Sequence, residues 1–330
     1  MSDLPQLLAA SIDRRAALLS RLDQEATDCV RLLHGATEGA PGVAVDRYGP
    51  VLLVQTWREP LADGTADALL GVARDAVPVE RVVWNHRPRG GAAWRPVDEQ
   101  VVGRELGLLF DVRPRHRGRD PLLFLDLRAG RRWIRSVARD RTVLNLFAYT
   151  CGVGLAASAG GARAVTNVDF AASALDVGRA NEAANGLTGQ EYLAEDVFPV
   201  LRQMAGLRMR DRRGGRRATY TRREAQTFDV VVLDPPRWAT GKHGAVDLVR
   251  DYQSLLKPAL LATAPGGQLL ITNNVASVDR DVWRSLCLRC ADKAGRPVAD
   301  WTWLPPEDDF PSPDGQPPLK MAILTLENAT

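Results

Sequence analysis

Residues 229–242 read DVVVLDPPRWATGK, an apolar, β-branched run that meets Asp-Pro-Pro, a tryptophan and turn residues. Proline cannot donate to a sheet ladder, so Pro235 and Pro236 end the strand predicted over Val230 to Leu233 and leave Asp234 at its carboxyl tip. Working outward, the same junction of buried strand and turn recurs. TVLNLF (142–147) and AVTNVD (164–169) read as strands, GVGLAASAGGA (152–162) as a helix of small residues, and ASALDVGRANEAANGL (172–187) as an amphipathic helix closing at Gly186. QEYLA (190–194) and GGQLLITN (266–273) add strands, and a helix is expected around residues 247–264. Strands alternating with helices predict an α/β fold with a doubly wound, mostly parallel sheet. Such sheets bind their ligands at the carboxyl ends of the strands.

At 330 residues and 45% hydrophobic content, the chain can bury a large core and is expected to form two domains. GVAVDRYGPVLLVQTW (42–57) predicts a hairpin turning at Tyr48-Gly49-Pro50, and GRELGLLFDVRP (103–114) predicts more extended chain. These place a small α+β domain at 29–120 and the larger domain at 121–330. Residues 1–28 carry Leu8, Ile12, Leu19 and Leu22 at helical spacing. Asp13, Arg14 and Arg15 interrupt the apolar run, so an amphipathic helix fits better than a leader peptide. No run reaches the length of a membrane span. Cys29, Cys151, Cys287 and Cys290 lack metal-ligand spacing with the four histidines, so neither a metal site nor a disulfide framework is expected, and a cytoplasmic location fits.

The net charge of +3 is unevenly distributed. Residues 208–223 hold eight Arg and one Asp, and residues 113–141 hold ten Arg and three Asp. Each segment is at +7, so the rest of the chain is at −11. Two cationic segments on an acidic body suggest a polyanionic partner, and arginine's planar fork suits phosphates and base edges. The competing reading is a general preference for arginine, since only four of the 43 basic residues are Lys.

In the junction NLFAYTCGVG (145–154), Gly152 and Gly154 let backbone approach a ligand at a helix N-terminus, but the spacing is not that of a dinucleotide fingerprint. Asp169 ends the next strand, placed to accept from two ribose hydroxyls, and Asp196 follows the QEYLA strand, where a carboxylate can accept from an adenine amino group. Together with Asp234 they put three carboxylates at successive strand tips. No Walker-type lysine loop is present, so the expected ligand contains adenosine without a polyphosphate.

LNLFAYTCGVGLAA (144–157), VTNVDFAASALDVGRAN (165–181) and DVVVLDPPRW (229–238) resemble the class I S-adenosylmethionine-dependent methyltransferases, specifically the group that modifies bacterial 23S rRNA. EGAPGVAVDRYG (38–49) and LLFLDLRAGRRWI (122–134) resemble that group's central domain and the approach to its catalytic domain. The resemblance implies a Rossmann-like, seven-stranded catalytic domain over 121–330, S-adenosylmethionine as cofactor, and rRNA or a ribosomal subunit as partner. It implies no metal and no membrane, and leaves the oligomeric state open, a homodimer included. Members of the group often begin with a PUA RNA-binding domain. Only the short helix precedes residue 29 here, so RNA is expected to be held by the 29–120 domain and by the Arg-rich 208–223 insertion.

In roles, Asn145, Phe147, Tyr149, Thr150 and Gly152 would line the methionine and sulfonium end of the cofactor. Asp169 would hold the ribose, Phe170 and Ser173 would lie beside it with Phe170 against the adenine, and Asp196 and Val197 would hold the adenine edge. Arg128 could reach the cofactor carboxylate or an RNA phosphate, with a salt bridge to a neighbour an equal alternative. Methyl transfer is an in-line displacement, so the enzyme's main task is alignment. Pro235, Pro236 and Trp238 would form a platform for a base splayed out of RNA, with Asp234 between base and cofactor.

Methylation at cytosine C5 needs a cysteine thiolate, and the 5-methylcytosine branch carries one just past the strand after Asp-Pro-Pro. Asn273 and Asn274 stand there instead, as in the guanine-N7 branch, and an amide can both donate to and accept from a guanine edge. Guanine N-methylation, N7 ahead of N2, is therefore expected. Open alternatives are a 5-methylcytosine methyltransferase, a small-molecule methyltransferase, and a non-catalytic RNA-binding or assembly factor retaining the fold.

Overall fold

A computed structural model gives the fold and describes residues 4–88, 100–114, 120–209, 212–213, 216–217, 220–241 and 244–328. The chain forms two compact units, Met1–Arg128 with Pro306–Gly315, and Ala129–Pro305 with Gln316–Thr330. The boundary read at residue 120 thus falls at 128, and a short downstream segment returns to the first unit.

The first unit begins with two helices, α1 (Leu4–Arg14) and α2 (Ala16–Gln24), where the spacing of leucines predicted one. The break is at Arg15, whose buried guanidinium donates to Ser11 and makes two bonds of 2.8 Å to Glu38. Leu8 and Ile12 from α1 and Leu18 and Leu22 from α2 all enter the core. A four-stranded sheet follows, β1 (Cys29–His34), β2 (Val43–Tyr48), β3 (Val51–Thr56) and β4 (Arg81–His86), in that order, with α3 (Thr65–Arg74) crossing between the parallel β3 and β4. The expected hairpin is present, with Tyr48 paired to Val51. Gly49 has φ +55, and a Cβ there would lie 2.5 Å from the Val102 carbonyl, so only glycine fits this turn. A second hairpin pairs β5 (Val102–Glu105) with β6 (Leu108–Asp111).

The second unit opens along α4 (Arg128–Val137) and holds the alternating elements: β7 (Thr142–Leu146), α5 (Gly152–Ala159), β8 (Ala164–Asp169), α6 (Ala172–Ala184), β9 (Gln190–Ala194) and α7 (Val197–Met204). A two-residue ribbon, β10 (Arg212–Arg213) and β11 (Arg216–Arg217), precedes β12 (Phe228–Leu233). Then come the hairpin β13 (Trp238–Gly241) and β14 (Gly244–Asp247), α8 (Gln253–Ala262), β15 (Thr263–Asn273), α9 (Arg280–Lys293), β16 (Val298–Leu304) and β17 (Lys320–Leu326). Seven strands form one sheet in the order β16-β17-β15-β12-β7-β8-β9. The five from β15 to β9 pair in parallel, and β17 runs antiparallel between β15 and β16. Val230 to Leu233 and Leu269 to Ile271 are fully buried, as helices on both faces require. The strand order reverses between β7 and β12, the place where doubly wound sheets open a crevice.

The Arg-rich insertion falls between α7 and β12 as expected, but residues 210–211, 214–215 and 218–219 and the side chains of 212–213 and 216–217 lie outside the described residues, so its contact with RNA is a proposal. The 113–141 segment is not one basic surface. Arg128 and Arg131 are buried, Arg113 pairs with Asp111 at 2.7 Å, and Arg141 donates to Gln268 at 2.8 Å. Arg115, Arg117 and Arg119 lie outside the described residues.

Candidate active site at the strand tips

The loop from β7 to α5 carries three non-glycine residues with positive φ. Phe147, Tyr149 and Cys151 have φ of 58, 49 and 61, left-handed values at non-glycine residues. Each costs on the order of 1–3 kcal/mol and persists only where its surroundings enforce it. Asp169, at the tip of β8, supplies part of that enforcement. One of its carboxylate oxygens accepts from Tyr149 N at 2.9 Å, and the other from Ala171 N at 2.8 Å. Burial raises the Asp169 pKa, against the lowering effect of backbone N–H groups from Ala171, Tyr149 and Phe170. Each oxygen has further acceptor capacity, which suits a diol.

Phe170 follows and is 68% exposed, and Ser173 is exposed on the first turn of α6. Asp196 caps α7, accepting from Phe198 N at 3.0 Å, and Val197 is buried, so Val197 can offer a ligand only its backbone. Phe147 packs partly buried against the sheet core, Tyr149 is half-buried, Thr150 is buried, and Gly152 begins α5. An exposed aromatic directly after one strand-tip carboxylate, with a second carboxylate at the tip of the neighbouring strand, is the arrangement expected for an adenosine site.

Three expected site residues take other places. Asn145 is buried and donates to Asn167 Oδ1 at 2.9 Å, while Asn167 donates to Gln190 Oε1 at 2.9 Å. This amide ladder across β7, β8 and β9 lies beneath α5, where a Cβ on Gly154 would come within 2.2 Å of Asn167 Oδ1. Asn145 therefore joins strands and does not line a ligand surface. Arg128 belongs to the first unit and has no exposed surface. Its nitrogens donate to Glu105, Glu307, both oxygens of Asp309 and the Cys29 carbonyl at 2.8–3.3 Å. All five donors of the guanidinium are engaged, so it reaches neither cofactor nor RNA. Asn273 is fully buried, and its Oδ1 accepts from Val275 N at 3.0 Å, whereas Asn274 is exposed.

At the tip of β12, Asp234 is half-buried and accepts from Thr272 Oγ1 of β15 at 2.5 Å. The Thr272 carbonyl in turn accepts from Tyr252 Oη at 3.0 Å. Pro235 is buried and Pro236 exposed, and the Trp238 side chain lies outside the described residues. Thr272, Tyr252 and the Asn167–Gln190 pair were not foreseen, although a threonine and two asparagines inside otherwise apolar strands were the available signal.

All four cysteines are buried with raised pKa values. Burial is the main cause in each, and Asp169 raises Cys151 further. None is a ready thiolate. Among the described residues, no cluster of three or more His, Cys, Asp or Glu could hold a metal ion, and no helix is long and apolar enough to cross a membrane.

Residues 44–293 match the family described as S-adenosylmethionine-dependent methyltransferase. A protein of Klebsiella pneumoniae subsp. pneumoniae named ribosomal RNA large subunit methyltransferase I is 29% identical over 290 residues, covering 84% of this chain and 68% of that protein. Its namesake from Shewanella denitrificans is 31% identical over 286 residues, covering 81% and 66%. Among solved structures, SMU.776 complexed with SAH superposes with a TM-score of 0.76 at 24% identity, covering 97% of this chain and 80% of that one. The SAM dependent methyltransferase from Agrobacterium tumefaciens gives 0.61 at 21%, covering 88% of each. At these identities the structural likeness concerns the fold.

Proposed function

Because the chain belongs to the S-adenosylmethionine-dependent methyltransferase family, we propose that it methylates a base of 23S ribosomal RNA, at a guanine nitrogen and at N7 ahead of N2. The names of the relatives support the rRNA substrate. The observation that carries the choice of base is the state of the cysteines. All four are buried with raised pKa values, and where β15 ends the chain carries Asn273, which is buried, and Asn274, which is exposed, in place of a cysteine. Cytosine C5 needs a thiolate to make its carbon nucleophilic, whereas guanine N7 has a lone pair of its own.

The bound cofactor supplies an electrophilic methyl group on a sulfonium. Asp169 would accept from the ribose hydroxyls, Phe170 would cover the adenine, and Asp196 with the Val197 backbone would hold the adenine edge. Phe147, Tyr149, Thr150 and Gly152 would border the methionine end. Across the switch point, Asp234 would face the acceptor base, with Pro235 behind Pro236 and Trp238 completing the platform. RNA would be drawn by the Arg-rich insertion and the first unit. Nucleoside mass spectrometry of large-subunit rRNA treated with enzyme and cofactor is the test, and 7-methylguanosine is expected. A 5-methylcytidine product, with a denaturation-resistant adduct on 5-fluorocytosine RNA that one cysteine substitution abolishes, would overturn the guanine assignment.

A further inference from the structure

Lys320 opens β17 as the register partner of Asn273, and it is 2% exposed. Its Nζ donates to the Val275 carbonyl at 2.9 Å. Burial lowers its pKa, with Asp279 acting in the opposite direction. A buried ammonium beside a single carbonyl is an expensive choice, since an apolar side chain of like volume is commonly neutral or stabilising there. The choice is explained by what the amine holds. The Val275 carbonyl also accepts from Val278 N at 3.1 Å, and Val275 N donates to Asn273 Oδ1. Both polar groups of Val275 are thereby fixed and its side chain is buried, so the turn following β15 is clamped from two sides. Asn274 lies inside that clamp and is exposed. Leu233 pairs with Ile271 and Asp234 is bonded to Thr272, so Asn274 emerges two residues beyond the strand position tied to the acceptor carboxylate.

We propose that Lys320 is a positioning residue for the acceptor base: with Asn273 it fixes the elbow that presents the Asn274 amide, and Asn274 reads the base edge beside Asp234. This rests on the base-methylation reading and names the residues that select the base. An exposed asparagine on a free turn would sample many orientations. One between two immobilised neighbours offers its donor and acceptor in a fixed geometry, as discrimination between base edges requires.

The test uses the full-length protein with Lys320→Met, Asn274→Ala and the double variant. Lys320→Met should keep its cofactor dissociation constant and its melting temperature, raise the hydrogen-exchange rate of the Val275 and Val278 amides about tenfold, and lower kcat/KM for rRNA about tenfold. If Lys320 acts through Asn274, the double variant loses no more than the worse single one; if it merely supports the fold, the two losses multiply. Unchanged exchange, or multiplied losses, would sink the clamp. Wild-type enzyme that labels no rRNA at all would instead sink the reading beneath it, and the exchange measurement separates the two failures because it needs no RNA.

Discussion

Arg128 in the first unit and Asp169 in the second are both buried ionisable groups, and they are held in different ways. Arg128 meets Glu105, Glu307 and Asp309, drawn from chain segments far apart in sequence, and its donors are all engaged. Asp169 meets backbone N–H groups, burial raises its pKa, and no cation enters the causes of that shift. A charge surrounded by opposite charges has its interactions complete and holds segments together. A carboxylate in a shell of amides at a strand tip keeps acceptor capacity toward solvent. Burial alone does not mark function; the character of the partners does.

The largest test of that distinction is Arg128→Met. It would leave Glu105 and Asp309 buried without their counterion, a loss of about 3–5 kcal/mol in unfolding free energy. Cofactor affinity should not change. Denaturant unfolding with parallel calorimetry checks both, and a weakened cofactor with an intact fold would put Arg128 back at the site.

The same contrast explains what the sequence made legible. Strand tips were readable because proline and glycine punctuate them: Asp234 precedes two prolines, and Asp169 ends an apolar run. The Arg128 partners were not readable, because Glu307 and Asp309 are 179 and 181 residues away and nothing local points to them. Counting arginines over 113–141 treated charge as surface, whereas folding placed Arg128 and Arg131 inside. Left-handed backbone at Phe147, Tyr149 and Cys151 was equally hidden, since glycine is the usual signal for it and these positions have none.

A second test lies in the first unit's response to acid. His34 Nδ1 accepts from Arg31 at 3.2 Å, and its Nε2 is buried with no partner among the described residues, so the ring is held neutral. Burial first and then Arg31 lower its pKa from 6.5 to about 4, against raising effects from Asp46 and Glu38, with Arg15 adding a smaller lowering effect. Above the unfolded pKa both states are neutral. Between 6.5 and about 4 the unfolded chain binds a proton that the native site refuses, so stability is lost as the pH drops through that window, by on the order of 3 kcal/mol. His34→Gln should flatten this part of a stability-against-pH curve. An unchanged slope would place the acid sensitivity elsewhere.

Smaller effects are expected in the second unit. Asp169→Ala would remove the acceptor proposed for two ribose hydroxyls, an expected loss of about 1.5–3 kcal/mol of cofactor binding for charge-assisted bonds. It also frees Tyr149 N, so part of the loss will come from the strained loop. Asp169→Asn, which keeps one acceptor oxygen, should fall between it and wild type. Equal dissociation constants across the three proteins would show that the ribose is misplaced.

The smallest effect, and the cleanest, is Phe170→Ala. The residue is 68% exposed, so removing its ring leaves no cavity and should not move the melting temperature. A ring that stays in water without a ligand gains burial only when one arrives, and stacking of a base on an aromatic contributes about 1–3 kcal/mol. With one open face, a loss near 1 kcal/mol is expected, about fivefold in the cofactor dissociation constant by calorimetry. The loss should be the same for S-adenosylhomocysteine, which shares the adenine and lacks the methyl group. A loss confined to the methylated form would move Phe170 from the adenine to the sulfonium end; no loss for either would leave the exposed ring to the RNA.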